Sequence, residues 1–135
     1  MKLNQESETK PKKTKKQDSI PTTKKILKLI TSILNEKKCE EITVLDLESV
    51  NTYLSIFVIC TVNSTVQARA VSRELERKLK VFKLGPGNQE KKAHNADNGW
   101  TLLDLGEIFV HIMTPEKRKF YDLEKLWGDA RPLKI

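Results

Sequence analysis

The sequence predicts an α/β (α+β) fold, with a mixed β-sheet and helices packed mainly on one of its faces. Segments with helical periodicity alternate with short β-branched or apolar runs, in the order helix, strand, strand, helix, hairpin, helix. The 135 residues are 38% hydrophobic, which suits a single domain with one modest core. We divide the chain into a disordered Lys-rich tail at 1–20, a domain at 21–130 and a C-terminal tail at 131–135.

The first three elements follow from their apolar spacing. A helix is expected from about Pro21, because the apolar residues Ile26, Leu29, Ile30 and Ile33 follow the i, i+3, i+4, i+7 pattern. The stretch ITVLDL at 42–47 begins with alternating β-branched residues and predicts a strand. The continuous apolar run IFVICTV at 56–62 predicts a central strand that is covered on both faces.

The second half of the chain begins with a helix after the capping residues Asn63 and Ser64. This helix is amphipathic and ends before the glycines and proline at 85–87, and we interpret 85–99 as a long polar loop. A last helix is predicted over 114–127, because Thr114 is a good cap and Pro115 suits the first helical position.

Between the loop and the last helix, WTLLDLGEIFVHI at 100–112 predicts a hairpin that turns at Leu105-Gly106. In that register Asp104 pairs with Glu107, and Trp100 pairs with His111. One face of the hairpin is purely core-like and the other mixes apolar with polar residues. The core-like face carries Thr101, Leu103, Ile108, Val110 and Ile112, and the mixed face carries Trp100, Leu102, Asp104, Glu107, Phe109 and His111.

The mixed face has two interpretations that alternation supports equally. It is either a protein-binding patch on an open sheet face, or a second core layer in which His111 is bonded internally. An acid–base site formed by Asp104 and His111 is disfavoured, because the hairpin offers no nucleophile and the two residues are not cross-strand partners.

Two other kinds of function have partial support in the sequence. Asp46 and Glu48, spaced i, i+2, would place two carboxylates on one strand face for Mg²⁺ in a nucleotidyl-transferring enzyme, but no glycine-rich phosphate loop precedes a helix. The net charge of +7 favours anionic partners such as nucleic acid, reached through the tail and the Arg-rich second helix. Aromatic residues are few, and none is interleaved with the basic residues of that helix to form a platform on which nucleic-acid bases would stack.

The remaining composition narrows the protein class. No apolar run approaches the roughly 20 residues of a membrane span, and the N-terminus lacks the apolar segment of a secretory signal. We therefore expect a cytoplasmic protein in which Cys39 and Cys60 are reduced thiols, neither a disulfide nor a metal pair. We expect no metal and no cofactor.

The C-terminal run WTLLDLGEIFVHIMTPEKRKFYDLEKLW resembles the signature of the ribosomal silencing factor family, also called the Iojap-like family. The similarity extends over about residues 24–130 and includes ITVLDLESV and IFVI. The signature positions are Trp100, Asp104, Gly106, Glu107, Val110, His111, Glu116, Arg118, Phe120, Tyr121, Leu123, Glu124, Leu126 and Trp127. This chain departs from the family pattern mainly in loops, at Ser55-Ile56, Thr61-Val62-Asn63, Val66-Gln67, Leu105 and the long stretch 85–99.

The resemblance implies a nucleotidyltransferase-like fold without its catalytic apparatus, and hence a protein that is not an enzyme. It implies a translation repressor that binds the large ribosomal subunit through its protein number fourteen and sterically blocks joining to the small subunit. It also implies a part in large-subunit biogenesis and homodimers when the protein is free. The expected partner-binding residues are Trp100, Asp104, Leu105, Glu107 and His111, together with Tyr121 and Trp127, for which packing of the last helix is the favoured role.

Overall fold

The computed structural model describes residues 22–48, 56–82, 94–97 and 99–135, with backbone alone for 94–97. Its centre is a six-stranded mixed sheet with the strand order β3-β4-β5-β2-β1-β6. The central strands β2 and β5 are parallel, and the other neighbours are antiparallel. The strands are β1 (Glu40–Asp46), β2 (Ile56–Thr61), β3 (His94–Asp97), β4 (Trp100–Asp104), β5 (Ile108–Met113) and β6 (Arg131–Pro132).

The helices lie on both faces of the sheet, and the two long ones share one face. These are α1 (Thr23–Glu36) and α2 (Thr65–Leu79), which a short 3-10 turn at Lys80–Phe82 extends. The other face is partly covered by two short helices, α3 (Pro115–Tyr121) and α4 (Leu123–Leu126). The predicted mixed sheet with its main helices on one face is therefore confirmed.

Local sequence sets the boundaries of the long helices. The hydroxyl of Thr22 accepts a hydrogen bond from the Lys25 N–H at 3.3 Å, and the hydroxyl of Ser64 accepts one from the Gln67 N–H at 3.1 Å. Each side chain satisfies a backbone donor that the first helical turn leaves without an intrahelical partner. Both predicted helix starts are thus confirmed.

The sheet separates two apolar layers, as strand alternation requires. On β2, Val58 and Cys60 pack toward α1 and α2, while Phe57 and Ile59 pack toward α3 and α4. Because both faces of β2 are buried and β2 is flanked by β5 and β1, the prediction of a central, doubly covered strand is confirmed.

The hairpin register differs from the predicted one by two residues. Asp104 pairs with Phe109, and the turn lies at Gly106-Glu107, where the Leu105 N–H donates to the Ile108 carbonyl at 2.9 Å. Gly106 has a φ of +94°, and primed hairpin turns require positive φ at this first turn position. Since side chains alternate with a period of two, an even shift preserves the faces, and Leu103, Val110 and Ile112 lie in the core as expected.

Two strands were not foreseen. Residues 94–97, expected to be loop, form β3 beside β4, and residues 131–132, expected to be tail, form β6 beside β1. Neither segment has the apolar alternation that marks a strand. Each pairs at a sheet edge through its backbone N–H and C=O groups, which requires no particular side chains and so leaves no pattern in the sequence. Arg131 adds an ion pair of 2.7 Å to Asp46 across β6 and β1.

The predicted last helix at 114–127 is broken in two at Asp122. Thr114 and Pro115 begin α3 as expected, but Asp122 adopts a left-handed conformation with φ of +45° and α4 starts after it. Aspartate adopts this left-handed conformation more readily than most residues do. The helix can therefore break here without a glycine or a proline, which are the residues that would mark a break in the sequence. The predicted tail at 1–20 and the loop residues 85–93 lie outside the described residues.

Candidate docking surface

Aromatic rings line the sheet face that α3 and α4 partly cover. Trp100 lies between Tyr121 of α3, at a ring-centroid distance of 4.6 Å, and His111 of β5, at 5.9 Å. His111 in turn contacts Phe57 at 4.3 Å. We call the exposed part of this layer, Trp100 with Tyr121 and Phe120, the aromatic surface.

Exposure increases toward the helix end of this surface. Trp100 is half-buried, Tyr121 is 41% exposed and Phe120, which packs edge-on against Tyr121, is 77% exposed. Phe120 and the exposed Leu126 of α4 are signature positions, but neither was among the expected partner-binding residues. The adjacent pair Phe120-Tyr121 could have predicted this exposure. Neighbouring residues in a helix point in different directions, so when one of the two rings packs on the sheet the other is left exposed.

His111 supports the aromatic surface from below. Its Nδ1 accepts a hydrogen bond from Trp100 Nε1 at 3.3 Å, and its side chain is only 5% exposed. Burial lowers the pKa of His111 to about 4, so the ring is neutral at pH 7. The Asp104 carboxylate instead accepts from the Gly106 N–H at 2.8 Å, so the two residues form no acid–base pair.

The other predicted contact residues differ in accessibility. Glu107 is exposed at the hairpin turn and Asp104 is half-buried beside it. Leu105, which was also expected to bind a partner, is 4% exposed and belongs to the core beneath α1 and α2, so its side chain is not accessible in the folded monomer. The same burial argues against direct contact by His111. Trp127 is half-buried against Phe57, in the packing role that was favoured.

A buried arginine fixes α3 and α4 to the sheet. Arg118 donates to the Glu41 carbonyl at 2.6 Å, to the Thr61 hydroxyl at 2.9 Å and to the Thr43 hydroxyl at 3.1 Å. It also forms an ion pair of 2.5 Å with Glu124, and this hydrogen-bonded guanidinium holds the pKa of Glu124 below its usual value. Sequence reasoning gave Arg118 no role, because its partners come from β1, β2 and α4.

Asp46, one residue of the candidate metal pair, is engaged by other groups. The Asp46 carboxylate accepts from Arg131 at 2.7 Å and from the Glu48 N–H at 3.0 Å, and these contacts lower the pKa of Asp46. No cluster of three or more His, Cys, Asp or Glu residues within the described ranges is arranged to hold a metal ion. In the same part of the chain, no helix has the length and apolar character to cross a membrane.

Comparison with known proteins identifies the family. A family model described as "Ribosomal silencing factor during starvation" matches residues 20–135. The chain belongs to the ribosomal silencing factor family. This membership confirms the resemblance of the C-terminal signature, and it extends the match through β6 to the end of the chain.

Relatives within and around the family agree with this assignment. The ribosomal silencing factor RsfS of Bacillus subtilis is 38% identical over 108 residues, covering 79% of this chain and 88% of that protein. A crystal structure of a Chromobacterium violaceum protein superposes with a TM-score of 0.69 at 28% identity, covering 79% of this chain and 87% of that one. Mouse "Mitochondrial assembly of ribosomal large subunit protein 1" is 29% identical over 73% of this chain and 43% of its own length.

Proposed function

We propose that this ribosomal silencing factor represses translation without catalysis, by binding the large ribosomal subunit and sterically blocking its association with the small subunit. Its protein contact is the large-subunit protein number fourteen, and it acts in the cytoplasm. Family membership supports the silencing role. The observation that supports docking as the mechanism is the exposed aromatic surface on the sheet face that α3 and α4 only partly cover.

The aromatic surface has the composition of a protein-binding site. Phe120 and Tyr121 present apolar rings to solvent, and Trp100 fills the space between Tyr121 and the sheet. Interface cores are enriched in such aromatic residues, and a few of them commonly supply most of the binding free energy. Exposing several of them in contact with one another is costly unless a partner covers them.

Polar groups continue this surface along the hairpin. Trp100 and Asp104 lie on one face of β4 and are separated by about 13 Å of strand, at about 3.3 Å per residue. Asp104 and Glu107 at the turn therefore provide a polar rim at the end of the surface that is remote from α3. His111 and Leu105 act indirectly in this proposal, the first by orienting Trp100 and the second by packing the turn on the core.

The central experiment measures subunit joining. Separated large and small subunits are mixed with and without the protein and resolved on a sucrose gradient. The proposal expects the protein to co-sediment with large subunits and to reduce the joined-ribosome peak. Normal joining at saturating protein would contradict it.

Two matched variants test the surface itself. Phe120→Ala removes an exposed ring, and we expect at least about tenfold weaker binding to large subunits, since a hot-spot truncation costs about 2 kcal/mol. Val81→Ala removes a comparably exposed apolar side chain, 73% accessible, from the 3-10 turn at the end of α2 on the opposite side of the sheet, and should leave binding unchanged. Equal affinities for the two variants would exclude the aromatic surface as the contact.

Two further parts of the proposal concern the free protein and assembly. Without a partner, the aromatic surface of one copy is expected to cover that of another, which gives a homodimer. Sedimentation velocity should then show dimers that Phe120→Ala converts to monomers. A contribution to late large-subunit assembly would appear as accumulated precursor particles when the protein is depleted.

A further inference from the structure

Positive charge is concentrated on the molecular face opposite the aromatic surface. Residues 22–38 and 64–82, which contain α1 and α2, carry ten Lys and Arg against three Glu. Residues 99–135, which contain the hairpin, α3 and α4, carry six basic and six acidic residues, and β1 with its end at 40–48 carries four acids and no base. Among the described residues, the excess positive charge therefore belongs to the helical face.

Arginine pairing sharpens this asymmetry. The chain has five arginines, and three of them have carboxylate partners, namely Arg77 with Glu74, Arg118 with Glu124 and Arg131 with Asp46. Arg69 and Arg73 are exposed on α2, and neither forms an ion pair with a described residue. They are four residues apart and so project from the same side of the helix, about 6 Å apart along its axis.

Further basic groups are brought to the same end of α2. The Gln67 side chain donates to the carbonyls of Lys37 and Lys38 at 2.9 and 3.2 Å, which ties the end of α1 to the start of α2. Lys38 is exposed beside this junction. Since β1 and β2 are antiparallel, α1 and α2 also run antiparallel, and Lys24, Lys25 and Lys28 lie toward the opposite end of the helical face.

The chemistry of this face selects a partner. A guanidinium forms two parallel hydrogen bonds with a phosphate, and unpaired arginines are well suited to that contact. The sequences of α1 and α2 contain no aromatic residue on which an unpaired base would stack. A regular phosphate backbone fits these properties better than single-stranded bases, because duplex RNA is recognised mainly through its phosphates and shape.

We propose that the helical face around Arg69 and Arg73 binds the phosphate backbone of duplex RNA. On a ribosomal subunit, the protein would then contact protein through the aromatic surface and RNA through the opposite face. This inference does not require the proposed silencing activity, because RNA binding is measurable without ribosomes.

The test is fluorescence anisotropy with the full chain and a labelled RNA duplex, over about 50 to 200 mM KCl. Arg69→Gln with Arg73→Gln is expected to weaken binding about tenfold and to reduce the slope of log K against log salt by about 1.8, for two lost phosphate contacts at about 0.9 each. The matched control is Lys119→Gln with Lys125→Gln, which removes the same charge from exposed sites on α3 and α4 and should change binding by less than about twofold. A single-stranded RNA of equal length should bind more weakly than the duplex.

Several results would overturn the inference. Equal losses in the two double variants would show that net charge alone drives binding. If binding is unchanged without the Arg69 and Arg73 guanidinium groups, the RNA contact does not lie on the helical face. If binding is lost completely when the tail lysines are changed to Gln, the contact lies in the N-terminal tail; these lysines are Lys12, Lys13, Lys15 and Lys16. Phe120→Ala should bind the RNA duplex normally and large subunits more weakly. Failure of the silencing proposal would therefore appear in the large-subunit assay, and failure of this inference would appear in the duplex assay. Circular dichroism should show that all variants fold.

Discussion

Replacing Arg118 with Met is the most direct test of what holds the aromatic surface in place. Methionine has a similar length but leaves Glu124 without its ion-pair partner and the Glu41 carbonyl without its donor. Breaking a buried ion pair typically costs about 3–5 kcal/mol. Because the Glu124 side chain is 36% exposed and keeps some hydration, we expect the lower end of that range, about 3 kcal/mol including the lost bond to the Glu41 carbonyl.

The assay is urea unfolding followed by fluorescence of Trp100 and Trp127, both of which lie in the aromatic layer. A loss of about 3 kcal/mol corresponds to a Tm lower by about 10 °C for a domain of this size. Lys119→Met, at an exposed neighbouring position, is the control and should change the unfolding free energy by less than about 0.5 kcal/mol. Adding Glu124→Gln to Arg118→Met should recover part of the loss, because it removes the unpaired charge.

Equal stabilities of Arg118→Met and Lys119→Met would refute this reasoning. Arg118→Lys is informative as well, because it keeps the charge but cannot reach partners on β1, β2 and α4 together, so an intermediate stability is expected. Large-subunit binding should weaken in parallel with stability, since α3 carries Phe120 and Tyr121.

The remaining predictions concern the fold around this site. His111 has a pKa of about 4 in the folded protein and a reference pKa of 6.5, so the unfolded chain binds a proton at a higher pH than the folded chain does. The free energy of unfolding should therefore fall by about 3 kcal/mol in total as the pH drops from about 6.5 to about 4. In urea-unfolding measurements at a series of pH values, His111→Gln should show a smaller fall over this range. Gly99→Ala combines a φ of +114° with a new Cβ 2.8 Å from Thr114 Oγ1, and should lower the unfolding free energy by about 2 kcal/mol in the same assay; a neutral effect would contradict the strained geometry. Ser64→Ala removes the cap that accepts from the Gln67 N–H and should cost about 1 kcal/mol by thermal unfolding, whereas no change in Tm would assign that cap no role.

Local patterns were sufficient for the parts of the fold that repeat within a few residues. The apolar spacing of α1 and α2 and the cap of α2 predict both helices, and the period of two separates the faces of the hairpin. The face prediction holds although the predicted register was wrong by two residues, because an even shift leaves every side chain on its original face. Trp100 therefore lies on the mixed face, as predicted, and it contacts Tyr121 there, while the role of both residues in binding is a proposal.

The tertiary structure decided what depends on residues far apart in the chain. Arg118 joins Glu41 across 77 positions, and Arg131 joins Asp46 across 85, so no local window contains either contact. The edge strands β3 and β6 form by backbone pairing, and their side-chain pattern does not predict them. The burial of Leu105 and the exposure of Phe120 follow from where the turn and the break at Asp122 fall. Periodicity thus determined the faces of each element, and long-range pairing determined which side chains on those faces remain accessible.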